Sequence, residues 1–259
     1  MKKVKVSAIS YLNTTPFVYG IQNSAVADHI ELSLNYPAEC AALLKSGEVD
    51  LGIVPAAVVP DLPEYHIISD FCIGATGSVK SVAIYSTAPL QQLHTVYLDF
   101  ESRTSVLLCQ VLAKRYWFIS PKFEQLNSIK EVNTATDNVG YVLIGDKTFG
   151  FEGVFPYKYD LAEEWIKYRK LPFVFAVWTA NKVLEPEFVT MFNDALRLGV
   201  NSIPTVVEQC VHNFDKQLAL DYLQNNISYE LDNSKKKGLV DFWNLALGEI
   251  KSKVRCGLP

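Results

Sequence analysis

The sequence predicts an α/β fold that opens as a doubly wound half-domain. Residues 4–55 read strand, helix, strand, helix, strand, and the third strand is the nearly continuous apolar run expected of a parallel sheet covered on both faces. Size agrees: 259 residues, 49% hydrophobic and 20% charged, can bury a large core in one big domain or two smaller ones.

Alternation from Val4 to Ile9 predicts the first strand. Asn13 or Thr14 then caps a helix over 16–23 that has Pro16 in its first turn. Ile30-Glu31-Leu32-Ser33-Leu34-Asn35 alternates as a second strand. Pro37 sits early in a helix with Cys40, Ala41, Leu43 and Leu44 on its buried face, and Gly47 stops it. The third strand runs from Val49 to Pro55.

That helix, followed by Gly47-Glu48-Val49-Asp50-Leu51-Gly52-Ile53, resembles periplasmic-binding-protein-like folds of the second type. The resemblance implies two lobes, residues 1–86 with 179–259 and residues 87–178, joined by a hinge of two crossing strands near 82–85 and 174–178. A ligand is then expected in the interlobe cleft. Later segments fit this plan. Strands are expected at 65–69, 72–75, 79–85, 96–99 and 139–146, the last ending in Gly-Asp, and a helix begins at Ser102 and continues through the apolar run 106–117. Residues 150–159 read as a loop or irregular hairpin, 161–170 as a helix and 171–178 as the return strand. Helices over 187–200, 205–213, 215–225 and 234–250 then pack back on the first lobe. Trp117, Trp165 and Trp178 are expected in the core.

The formal charge is 24 − 28 = −4, and the longest basic block, Lys235-Lys236-Lys237, reads as a solvated helix start. This argues against a nucleic-acid surface, and nothing points to a membrane partner. Lys2 and Lys3 are followed by neither an apolar run nor a small-residue cleavage site, so a cytoplasmic location is expected. Five scattered cysteines (Cys40, Cys72, Cys109, Cys210, Cys256) fit reduced, mostly buried thiols. The absence of CxxC and HExxH, with His29, His66, His94 and His212 far apart, argues against a metal site.

Four stretches could carry chemistry. Asn13 and Thr14 sit where a strand feeds a helix N-terminus, a place that either caps the helix or meets an anion with open N–H groups; Tyr11 is the aromatic to place beside a ligand ring. Ser102-Arg103-Thr104-Ser105 opens another helix after a strand. There hydroxyl donors, helix dipole and guanidinium suit a carboxylate or phosphate, or else Ser102 caps and Arg103 pairs with Glu101 or Asp99. Gly77-Ser78-Val79-Lys80-Ser81 leads into the expected hinge strand, with Ser78 and Ser81 offering hydroxyls and Lys80 reading as a surface residue. Asp146, after Gly145, is a turn cap or a general base at the cleft rim. Two helix ends facing each other across a cleft would suit a small dicarboxylate. Spacing alone yields no triad, no paired-carboxylate motif and no phosphate loop, so the reaction type stays open.

Ser10-Tyr11-Leu12-Asn13-Thr14, Gly47 to Pro55, Gly77 to Val82, Ser102 to Val106, Ile144-Gly145-Asp146 and Leu171 to Trp178, in that order, resemble the chorismate dehydratase family of the futalosine route to menaquinone. The resemblance implies a cofactor-free lyase that converts chorismate into 3-(1-carboxyvinyloxy)benzoate and water. It assigns Asn13 and Ser81 to the active site, with Thr104 and Ser105 as carboxylate binders. The chain departs from the family where proline often follows the glycine, here Ser78, and where Gly-Asp-x-Ala-Leu is here Gly145-Asp146-Lys147-Thr148-Phe149. Two other readings share the fold: a futalosine-pathway enzyme that releases dihydroxynaphthoate, and a solute-binding protein for a small anion without catalysis.

Overall fold

The computed structural model describes residues 3–246. Cys256 and the last four residues of the helix expected over 234–250 lie outside the described residues.

Two sheets organise the chain. The first has the order β11-β4-β10-β3-β1-β2, built from β1 (Val4–Ile9), β2 (Ile30–Asn35), β3 (Leu51–Pro55), β4 (His66–Ala75), β10 (Phe173–Ala180) and β11 (Ser228–Glu230). The second has the order β7-β6-β8-β5-β9, from β5 (Val82–Ser86), β6 (Thr95–Asp99), β7 (Lys122–Leu126), β8 (Val139–Ile144) and β9 (Tyr157–Asp160). β1 runs parallel to β2 and β3, and β6 parallel to β7 and β8. Into each parallel set one antiparallel strand is inserted by the crossover, β10 beside β3 and β5 beside β8. Every residue of β3, β8 and β10 is buried, as their apolar runs require.

Neither β5 nor β10 spans both sheets. β5 lies wholly in the second and β10 wholly in the first, so the links between lobes are the short segments 76–81 and 170–172. Ten residues form one strand β4 where two short ones are expected, because register shifts against β10 at Val174/Ala176 and Val177/Thr179 absorb the irregularity. β7, β9 and β11 go unread in the sequence. β9 ends the aromatic, Gly-rich stretch 150–159, and only its last residues pair, with β5.

Helices cover both sheets: α1 (Thr15–Gln22), α2 (Pro37–Ser46), α3 (Thr104–Leu112), α4 (Leu161–Arg169), α5 (Pro186–Asn201), α6 (Ile203–Cys210), α7 (Lys216–Asp221) and α8 (Asn233–Ala246). α1 crosses α5 backbone to backbone. A Cβ on Gly199 would lie 1.7 Å from the Pro16 carbonyl oxygen, and one on Gly20 1.9 Å from that of Ala195. This contact holds α1, and with it the junction at Asn13, on the C-terminal helices. α8 reaches the second link, where a Cβ on Gly238 would sit 2.2 Å from the Pro172 carbonyl oxygen and Arg169 clasps Asp241 through two bonds of 2.6 and 2.8 Å.

Trp165 and Trp178 are fully buried, but Trp117 is only half-buried, its indole donating to Glu164 at 3.0 Å. It falls in a π turn, Ala113–Trp117, that ends α3 and swings its ring to the rim. The basic block is not uniformly solvated: Lys235 is buried against the Gly74 backbone while Lys237 is exposed. Packing of α8 on the edge of the first sheet overrides the charge pattern there. Cys40, Cys72 and Cys109 are buried and free, and Cys210 is free and exposed.

Candidate functional site

Between the sheets lies a cleft whose walls come from both lobes and the first link. Its polar lining is Tyr11, Asn13 and Ser81 on one side and Ser102, Arg103, Thr104 and Ser105 on the other; the rest is apolar, including Ile9, Ile73, Val79 and Phe175. No carboxylate or imidazole side chain is among the described residues lining it.

The Asn13 side is tied up in protein hydrogen bonds. Residues Leu12–Thr14 form a 3-10 turn; Thr14 holds the N-cap position of α1, but neither its side chain nor that of Asn13 makes a capping hydrogen bond to the helix. The Thr14 hydroxyl donates to Asn13 Oδ1 at 3.0 Å, Asn13 Nδ2 donates to the Tyr222 hydroxyl at 3.4 Å, and Tyr229 donates to the Asn13 carbonyl at 3.0 Å. Ser81 Oγ lies 2.7 Å from the same Tyr222 hydroxyl. Thus Asn13 and Ser81, 68 residues apart by number (81 − 13), meet through one tyrosine.

The link places Ser81 by holding Lys80 in the left-handed region, φ 61°. Asp160 makes that conformation tolerable, its Oδ2 accepting from the Lys80 N–H and the Ser78 hydroxyl, each at 2.7 Å. The other oxygen caps α4 through Ala162 and Glu163, both at 3.1 Å. Ser81 itself closes a tight turn onto the Val79 carbonyl, 2.7 Å.

Across the cleft, the α3 N-terminus behaves differently. Ser102 Oγ accepts from the Ser105 N–H at 3.1 Å, the capping arrangement expected there. Thr104 is buried and bridges the lobes: its hydroxyl donates to the Phe175 carbonyl at 3.0 Å and accepts from the Ala57 N–H at 3.1 Å. Its one proton is therefore committed to protein. The Ser105 hydroxyl and the exposed Arg103 guanidinium have no protein partner among the described residues, and Arg103 pairs with neither Glu101 nor Asp99.

Those two carboxylates are instead neutralised by Lys147, which lies 2.9 Å from Asp99 and 2.5 Å from Glu101. Asp99 is buried, which pushes its carboxyl upward against the pull of Lys147, and it also accepts from the Ile144 and Glu101 N–H groups at 3.1 Å. Glu101 accepts from the Tyr11 hydroxyl at 2.8 Å, so Tyr11 reaches from the first lobe to the second. The Tyr11 ring lies on Gly145, φ 72°, where a Cβ would come within 2.9 Å of it.

Three residues proposed for the ligand lie off the cleft wall. Thr14 is buried beneath Asn13. Ser78 and Lys80 border a separate groove, and Lys80 is paired with Asp221 at 3.0 Å. Asp146 borders another groove beside His212, and both its oxygens accept from the Leu12 N–H, at 3.0 and 3.1 Å. Burial pushes its carboxyl up to about 6. The sequence reading passes over Tyr222, Tyr229 and Lys147, because tyrosines in an apolar helical stretch read as core and one lysine after Gly-Asp as surface.

The fold and the cleft define a two-lobed protein of the periplasmic-binding-protein-like class. A protein from Archaeoglobus fulgidus superposes with a TM-score of 0.71 at 15% identity, covering 95% of this chain and 97% of its own. A Candida albicans protein described as having the generic periplasmic binding protein fold gives 0.68 at 14% identity, over 97% and 92%. These likenesses are of fold alone. The chain belongs to the menaquinone biosynthesis family, whose model matches residues 4–247. It is 29% identical over 227 residues to the chorismate dehydratase of Thermus thermophilus, covering 80% of this chain and 83% of that one.

Proposed function

We propose that the protein is a carbon–oxygen lyase that dehydrates chorismate to 3-(1-carboxyvinyloxy)benzoate, a step in menaquinone biosynthesis. The observation that carries this reading is the cleft itself, in which Asn13 and Ser81 face an α3 N-terminus with an unpaired Arg103 and a free Ser105 hydroxyl. Family membership and the Thermus thermophilus relative support the choice of substrate.

Chorismate carries two carboxylates, one on the ring and one on the enolpyruvyl arm. The α3 N-terminus offers donors and a positive dipole to one of them. In the reaction the C–H bond at the ether-bearing ring carbon breaks and its electron pair becomes the third ring double bond. The C–O bond to the neighbouring hydroxyl breaks with it, and proton and hydroxide leave as water. Oxidation state is unchanged overall, and aromatisation supplies the driving force. Ser81 and Asn13 donate to the departing hydroxyl. With no carboxylate or imidazole among the described lining residues, the substrate's own enolpyruvyl carboxylate takes the ring proton first and passes it to the departing hydroxide, which leaves as water.

Mixing the purified protein with chorismate and following ultraviolet absorbance and mass tests the reading. Appearance of an aromatic enol ether lighter than chorismate by one water is the expected result. Binding without turnover would overturn it in favour of a solute-binding role.

A further inference from the structure

Tyr222 is fully buried behind the cleft wall, at the point where α7 gives way to a single π turn, Tyr222–Asn226. Single π turns within helices are frequent at functional sites. Here the hydroxyl reaches Ser81 Oγ at 2.7 Å and Asn13 Nδ2 at 3.4 Å, while Phe149 holds the ring edge-on at a centroid distance of 5.1 Å.

The polarity of these bonds decides what Ser81 can do. Thr14 donates to Asn13 Oδ1, which turns the amide so that Nδ2 faces Tyr222 and donates to the phenol oxygen. A phenol is a stronger donor and a weaker acceptor than an aliphatic hydroxyl, because its lone pair is shared with the ring. Of the two directions open to the 2.7 Å bond between the hydroxyls, this favours Tyr222 as the donor and Ser81 Oγ as the acceptor. Ser81 accepts that bond and keeps its own proton for the cleft it lines.

Building on the dehydration reading, we propose that Tyr222 is a positioning residue that fixes Ser81 as a hydrogen-bond donor to the departing hydroxyl. The chain of donation runs Thr14, Asn13, Tyr222, Ser81, substrate for the orienting bonds, and every protein member is set before the substrate enters. Ser81 then presents a proton, not a base, to the substrate and so serves the leaving group.

Tyr222→Phe keeps the ring and removes the hydroxyl. The expected outcome is a fall in kcat on chorismate of about ten- to a hundredfold, with KM within about threefold, as for loss of an interaction made in the transition state. Made on a Ser81→Ala background, the same change is expected to cost far less, because the route through Ser81 is gone and only the longer bond from Asn13, 3.4 Å, is left to lose. A Tyr222→Phe protein with a lowered Tm and unchanged kcat, or equal losses with and without Ser81, would overturn the inference. Should Tyr222→Phe not fold, 4-fluorophenylalanine at 222 fills the hydroxyl's space without donating and takes the same measurements. A wild type inert towards chorismate overturns the dehydration reading together with this inference; an active wild type with an unaffected Tyr222→Phe overturns the inference alone.

Discussion

The two walls of the cleft contrast in how their polar groups are satisfied. On the Asn13 and Ser81 side the polar atoms are bonded to protein, through Thr14, Tyr222 and Tyr229. On the α3 side, Thr104 is bonded to the opposite lobe while Arg103 and the Ser105 hydroxyl await a partner. A group held by protein bonds loses little freedom when substrate arrives and can be aimed at a developing charge. An unpaired guanidinium beside a helix N-terminus instead gains most of its interaction from the bound anion. The first wall is thus built for chemistry and the second for binding.

The largest expected effect is on the first wall. Ser81→Ala and Asn13→Ala each should lower kcat by about 10²–10³-fold, the usual loss when one aimed donor is removed, measured by steady-state kinetics on chorismate. Next comes the second wall: Arg103→Gln should raise KM about ten- to a hundredfold with a smaller change in kcat, from a charge-assisted bond of about 1.5–3 kcal/mol. A kcat defect there instead would blur the contrast.

Within the second wall, two neighbours should separate. Ser105→Ala is expected to raise KM several-fold, about 0.5–1.5 kcal/mol for one neutral bond, without lowering Tm. Thr104→Val should leave KM alone but lower stability by about 1–3 kcal/mol, because the Ala57 N–H is left buried without its acceptor; denaturant unfolding measures it.

The smallest effect concerns Asp146, which lies off the cleft. Its carboxyl stands at about 6 instead of 3.8, so the folded state holds the proton more tightly than the unfolded state. Its contribution is therefore fully present below about pH 3.8 and is lost as pH rises through about 6. Tm of the wild type minus Tm of Asp146→Asn should fall across that window and stay level above it.

Much of the frame was legible in the sequence, because period and punctuation report local burial: β2 runs from Ile30 to Asn35 and α2 ends at Gly47, φ 76°, as alternation and a C-terminal glycine require. The strand β9 was not, since its pairing with β5 is non-local and its composition is that of a loop. At the site, the motif residues of both walls could be named, but their partners could not. Thr104 looks like a free hydroxyl until the Phe175 carbonyl is beside it. Tyr222 lies 141 residues (222 − 81) beyond Ser81 in a segment whose apolar spacing describes only packing. Hydrogen-bond commitment is a tertiary property, and no sequence pattern records it.

Binding of chorismate to Ser81→Ala, measured by titration calorimetry alongside its turnover, tests the division of labour most directly. Expected is a Kd within about threefold of wild-type affinity together with a loss of about 10²-fold or more in turnover. A Ser81→Ala protein that no longer binds chorismate, or that turns it over at the wild-type rate, would contradict it.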